Sequence, residues 1–471
     1  MPVRIPVAPR HAHAALSSLA FLLACSTALG GPNNRTDVTF GDFVTPMNYA
    51  SLNGTKAWAF GSHTCNLGLD NLAWGGTSGT PAFVSNLYRL HNGRMTMIGM
   101  SWAKHSFAVA NSTGICGACP AGVAGGLRPQ CRDVYSASIN GSQMRMGPRS
   151  LINPYDGTFV PRATQPSYTS IERRLQARES DLAPAGFPGA LYFAESVYVA
   201  SDEAAAAQLN NSSFRRVTFD AAFNVVLADA TQRERPAVFA WKEHGLGLNQ
   251  PDPAVQIVTV EFPSEGRVYV GGKASRSATG VWRYEYMVFN LNSDIGVAGV
   301  SVPTGPGATV ANIGTFAPTY HSGEAVSNDP WVGGQSGGNV AWATPQTFAQ
   351  NAFTGAILWG TTHNYWFETA TPPAPTLPTP APQPPGVAIR GFRVDVTMAA
   401  AGLPVPGCAG DFDGSGERAV DDVFSFLSAW FAGCAGEAAA PCNLRTVDVN
   451  LSGSRGVDDL FVFLSAWFAG C

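Results

Sequence analysis

Residues 282–290 read Trp-Arg-Tyr-Glu-Tyr-Met-Val-Phe-Asn, with Trp282, Tyr284, Tyr286 and Val288 at every second position. A period of two is the mark of a strand that presents one face to a core. Shorter β-rich runs follow the same habit at 255–262, 267–270, 297–303, 308–316, 339–343 and 356–367. Several short strands at such intervals predict a β-sandwich. Nearer the start, 57–60 and 95–102 are aromatic-rich and read as strands between turns, and 387–398 reads as one more strand late in the body. One stretch breaks the pattern. Residues 171–181 carry Glu172, Arg173, Arg174, Gln176, Arg178 and Glu179, and read as a helix or as a connector between two halves.

After residue 400 the period changes from two to that of a helix. Val423, Phe426, Leu427, Trp430 and Phe431 fall at i, i+3, i+4, i+7 and i+8, one apolar stripe. The stripe recurs as Leu460, Phe463, Leu464, Trp467 and Phe468, because residues 420–434 return as 457–471 with two changes. Two helices this short are expected to pack on each other, since neither is stable alone.

Before each helix lies a loop of oxygen-bearing residues. In the first, Asp411, Asp413 and Ser415 occupy positions 1, 3 and 5, Gly416 position 6 and Asp422 position 12. In the second the same places hold Asp448, Asn450, Ser452, Gly453 and Asp459, 37 residues on. Calcium takes six to eight oxygens around a tight turn that glycine at position 6 permits, and position 7, here Glu417 and Ser454, supplies a carbonyl. Up to two Ca2+ sites are therefore expected. Arg418 and Arg455 replace the usual aliphatic residue at position 8, and Ala419 and Gly456 remove a polar group at position 9, which points to hydrated, weaker sites.

This tail resembles the dockerin variant whose repeats end in Gly-Cys, found at the C-termini of otherwise unrelated exported bacterial proteins. The resemblance covers residues 408–471 and implies calcium-dependent folding and attachment to a cohesin-like or other cell-surface receptor. It implies nothing about the activity of the body.

Composition adds the compartment. Positive charge at Arg4 and Arg10, an apolar run over 14–23 and Ala28-Leu29-Gly30 form the pattern of a secretory signal over residues 1–30. Leu22-Leu23-Ala24-Cys25 offers the alternative of a lipoprotein anchored through Cys25. Secretion or cell-surface display is expected either way, without a transmembrane helix. Removing the signal leaves eight cysteines in two groups of four, Cys65, Cys116, Cys119 and Cys131, then Cys408, Cys434, Cys442 and Cys471. In an exported chain these predict disulfides, with three pairings open to each group. Only 13% of residues are charged and the net charge is -4, so no basic stripe offers itself to nucleic acid.

The expected layout is a Cys-containing β-rich region over 31–165, a connector over 166–190, and a β-sandwich-like domain over 191–400 with a Pro-rich loop at 371–385. The dockerin-like domain follows over 405–471. The fold class is mainly β with a small EF-hand-like helical tail.

Catalytic motifs are sparse. The Cys116-Gly117-Ala118-Cys119 pair, with Cys65 and Cys131, could hold zinc or act as a redox pair, but export favours disulfides. His63, His91, His105, His244, His321 and His363 form no HxH or HExxH pattern. Gly334-Gln335-Ser336-Gly337-Gly338 matches a nucleophile elbow by letter, yet a strand-like run follows where a helix is required. Asp70, Asp133, Asp156, Glu195, Glu243, Glu261, Glu285 and Glu324 are the carboxylates from which a glycosidase pair would be drawn. The leading expectation is a non-catalytic exported protein held by its tail. A polysaccharide-acting hydrolase and a glycan-binding protein are the alternatives.

Overall fold

The computed structural model describes residues 35–74, 81–106, 108–122, 125–155, 157, 168–203, 207–262, 265–304, 308–374, 393–398, 403–407, 410–412, 418–432, 447, 449 and 456–469. The expected signal with Cys25, Asp156, most of the Pro-rich loop, and Cys408, Cys434, Cys442 and Cys471 lie outside the described residues. So do Asp413, Ser415, Glu417, Asp448, Asn450, Ser452 and Ser454 of the expected calcium loops.

The chain is mainly β. Eleven strands make the first sheet: β1 (Val38–Asn48), β2 (Thr55–Asn66), β3 (Ala82–His91), β4 (Arg94–Met100), β5 (Ala103–His105), β6 (Arg132–Tyr135), β7 (Met146–Gly147), β8 (Leu175–Arg178), β9 (Leu191–Val199), β10 (Ser212–Phe219) and β11 (Val225–Leu227). Its main path runs β1-β2-β8-β4-β3-β9-β10-β11, and the last strands curl back towards the first to leave a nearly closed barrel. Side chains bridge the remaining gap. Arg215 donates to Phe43 O at 2.6 Å, Asn48 accepts from Val225 N at 2.8 Å, and Trp58 Nε1 donates to Phe223 O at 2.9 Å. The interior is filled by inward residues of many strands, among them Phe40, Trp58, Phe83, Leu175 and Tyr198.

The strands that follow are β12 (Gln256–Phe262), β13 (Gly266–Arg276), β14 (Trp282–Asn290), β15 (Gly296–Pro303), β16 (Val310–Phe316), β17 (Val332–Ser336), β18 (Asn339–Ala343), β19 (Thr361–Thr369), β20 (Pro373–Ala374), β21 (Arg393–Thr397) and β22 (Val405–Pro406). They form the expected sandwich: a five-stranded sheet β12-β13-β14-β19-β16 faces a four-stranded sheet β17-β18-β15-β21. Tyr284, Tyr286 and Val288 point into this second core, as the alternation predicts. The intervening Met287 and Phe289 are buried too, because the barrel packs on the other face of the same sheet. A strand covered on both sides reads as a continuous apolar run only where its polar positions are few.

Two features differ from expectation. Residues 171–181 contain no α-helix. Leu175 and Ala177 are buried while Arg178 is exposed, a period-two segment that becomes β8 between β2 and β4. The arginines before it stack on aromatic rings, Arg173 over Tyr168 at 3.8 Å and Arg174 over Tyr49 at 3.6 Å, which explains a charged stretch beside a core. The change from barrel to sandwich comes between β11 and β12, so the strands over 191–227 complete the first sheet.

The short β20–β22 pair and the parallel β15–β21 pair anchor the chain on both sides of residues 375–392. Met398, Leu403 and Val405 add to the sandwich core. The α-helices among the described residues are α1 (Ala137–Asn140), α2 (Val238–His244), α3 (Val420–Ala432) and α4 (Val457–Ala469). Among the described residues no helix is long and apolar enough to cross a membrane.

Candidate functional site

The tail is a helix pair. Phe426 and Phe463, both fully buried and 37 residues apart in sequence, stack with centroids 4.2 Å apart and planes 7° from parallel. Phe412 meets both rings edge-on. Each helix is capped by its own loop: Asp422 Oδ2 accepts from Ala419 N at 2.7 Å, and Asp459 Oδ2 from Gly456 N at 2.8 Å. This is the carboxylate half of a capping box, with the acid at the third helical position. Both carboxylates, position 12 of the expected calcium loops, are fully buried, and Asp411 sits just ahead of Phe412. Arg418, at position 8, donates to Trp467 O, and Trp467 Nε1 donates to Ala419 O at 3.0 Å. Positions 8 and 9 of the first loop therefore serve the packing of the second helix.

Phe431 and Phe468 depart from the expected stripe. They are 78% and 74% exposed. At 3.6 residues per turn each lies about 140° around the helix from the buried Phe426 or Phe463. They belong instead to a second, outward set with Val420 and Phe424 on α3 and Val457 and Phe461 on α4. Reading for one stripe missed it, since both sets are apolar.

In the body, the structure settles the cysteines. Cys65 pairs with Cys116 and Cys119 with Cys131. The two cysteines of the CxxC are thus bonded elsewhere, which removes both the zinc and the redox readings. Gly41 allows the first bridge, because a Cβ there would lie 2.6 Å from Cys65 Sγ. The Gly334–Gly338 motif is a hairpin: Ser336 pairs with Asn339 and Gly337 and Gly338 both take positive φ, so Ser336 ends an exposed edge strand. No elbow forms.

Among the described residues no three His, Cys, Asp or Glu side chains are grouped to hold a metal. His363 is buried between the sandwich sheets, edge-on to Trp331, with neither ring nitrogen hydrogen-bonded, and burial pushes it down to about 3. His91 meets Phe187 edge-on, and His244 stacks on Phe193. His63 lies on β2 and His105 on β5, the latter pushed down to about 4 by burial and then by the neighbouring Lys104.

Glu195 is wholly buried and accepts from Asn86, Tyr88, Ser212 and Ala237 N at 2.7–3.1 Å. Asn86 Oδ1 in turn accepts from Arg149, also wholly buried, whose Nη1 donates to Gly360 O at 2.8 Å. Tyr88 meets Thr362 of β19. This polar seam joins the barrel to the sandwich. Glu324 accepts from Arg149 N and Ser150 Oγ at 2.6 Å each, and Glu285 is held by Arg94 and Arg283. Asp133 accepts from Ala110 N, Asp70 pairs with Arg35, Glu243 with Arg235 and Glu261 with Arg267. Each described carboxylate of the glycosidase candidates has a structural partner, but Asp133 keeps its Oδ2 buried and unpaired, and burial raises it to about 6.

Among the described residues an open cleft lies between the layers. It has a volume of about 400 Å³. It forms where β8 leaves β4 after two paired residues and where an extra residue, Ile98, bulges β4 against β3. Bulges bend a strand and commonly sit beside binding sites. The segment after β16, 316–321, forms the opposite wall. At its floor His321 Nε2 lies 2.7 Å from Met100 O, so Nε2 carries the proton, and Nδ1 accepts from Gln176 and Ser322, each at 2.6 Å. Burial pushes this imidazole down to about 4. It is neutral and fully engaged. Its walls come from four separate parts of the chain, and no local motif announces it.

Against known proteins, the chain matches no family model, no curated protein and no solved structure.

Proposed function

We propose that this is an exported, non-catalytic β-rich protein held to a surface or a larger complex through its C-terminal helix pair, which folds around calcium. The observation that carries the reading is the internal symmetry of the tail. Two loop-and-helix repeats stack Phe426 on Phe463 and bury Asp422 and Asp459 at equivalent places. A buried carboxylate at position 12 of each loop is what a calcium loop needs there. The outward set supports attachment: Val420, Phe424 and Phe431 repeat as Val457, Phe461 and Phe468, each at least 57% exposed. Apolar side chains exposed in such a concentration mark a partner surface. A cohesin-like or other cell-surface receptor is the proposed partner. The committed carboxylates and the engaged His321 favour a non-catalytic body over a hydrolase.

Calorimetric titration of the full chain with CaCl2 tests the calcium step. Saturable uptake is expected, together with a higher melting temperature for the tail. Asp411→Ala combined with Asp448→Ala is expected to abolish both. A flat titration of the unaltered protein, with no change in melting, overturns the proposal.

A further inference from the structure

The interlayer cleft has the chemistry of a site, and nothing in the attachment reading uses it. Its volume of about 400 Å³ falls within the range of about 300–1,000 Å³ typical of small-ligand sites. The polar groups around it offer donors and acceptors in balance. Thr55 and Thr319 contribute hydroxyls. Gln176 has its amide nitrogen turned to His321 and so presents an oxygen acceptor. Asp181 is steadied by Arg89 at 3.0 Å, and Arg178, exposed at the end of β8, supplies a guanidinium. Asp181 is already paired with Arg89, so Arg178 is the charged donor that the cleft offers a ligand, and a guanidinium donates as well to uncharged hydroxyls. Ile98, Phe316 and Pro318 give the apolar part of the wall.

From this juxtaposition we infer that the cleft binds a short neutral saccharide. A sugar hydroxyl both donates and accepts, which suits a lining of hydroxyls, amide, carboxylate and guanidinium. The C–H face of a pyranose is apolar, which suits the Phe316 side. Binding is without turnover: the imidazole at the floor has both nitrogens occupied and no second carboxylate lines the cleft. The site is independent of the tail, so calcium is not needed for it.

The test is calorimetric titration of the full chain with neutral di- to tetrasaccharides of glucose, xylose and mannose. Arg178→Ala and Ala317→Trp are measured in parallel; Ala317 is an exposed lining residue, and a tryptophan there would fill the cleft. Saturable binding of at least one saccharide is expected, with Kd between about 10 μM and 1 mM. It should weaken by about tenfold or more in both variants while their melting temperatures stay at that of the parent. Binding unaffected by either variant places the sugar elsewhere and overturns the inference. So does the absence of any saturable saccharide binding, or binding restricted to zwitterionic amino acids or dipeptides.

Discussion

His363 shows what one buried side chain imposes on the molecule. Neutral imidazole is the form that fits between the sandwich sheets, where Trp331 meets it edge-on and no hydrogen bond reaches either nitrogen. Its folded pKa, about 3, lies below the ordinary value near 6.5. The unfolded chain therefore binds a proton that the folded chain refuses. Stability from this site is complete above about pH 6.5 and drains away as pH falls towards 3, by up to about 1.4 kcal/mol per pH unit. His105 and His321, each pushed down to about 4, add to the same slope. His363→Phe keeps an aromatic ring at the site and removes the two nitrogens. Thermal melts between pH 7 and 4 should show a shallower loss in that variant, and an unchanged slope would place the acid lability elsewhere.

Elements differ in how openly the sequence declares them. In the tail, Phe426→Ala and Phe463→Ala remove equivalent halves of one stack, and each is expected to cost about 3–5 kcal/mol. Measured by thermal melting of the tail, the two losses should be similar, with the double variant far from additive because the rings share one contact. That symmetry is legible in the sequence, as are the helices and the alternating β14, because each rests on a long local period. β8 is not. It has four residues, only Leu175 and Ala177 face the core, and flanking arginines disguise it. The barrel is hidden for a different reason: β8 lies between β2 and β4, pairing Thr55 with Arg178 and Gly99 with Ala177 across long stretches of chain, and such pairings leave no local trace. The cleft inherits this opacity, since Thr55, Ile98, Gln176 and Thr319 meet only after those pairings form.

At the scale of the molecule, barrel and sandwich behave as one body because their interface is both apolar and polar. Trp241, Met287 and Phe289 fill part of it, and the Arg149–Asn86–Glu195 seam crosses it. Arg149→Met leaves the Asn86 amide oxygen and the Ser101 and Gly360 carbonyls without their charged donor in the interior, at an expected cost of about 1–3 kcal/mol for each acceptor left unpaired. Denaturant unfolding followed separately by far-UV circular dichroism and by tryptophan emission should give coincident transitions for the body, shifted together to lower denaturant in the variant. Separate transitions in the unaltered protein would show that the layers fold independently.

The seam also decides how this chain can be divided. A cut between β11 and β12 would strand Glu195 without the Ala237 amide, Tyr88 without Thr362 and Arg149 without the Gly360 carbonyl. Neither half would then be a module that could be transplanted, recombined or inherited without the other. The helix pair is organised in the opposite way: its core of Phe412, Phe426, Val447 and Phe463 is drawn wholly from residues after Gly407. Shuffling of parts has one workable seam here, just beyond that glycine, and the body moves as a single piece.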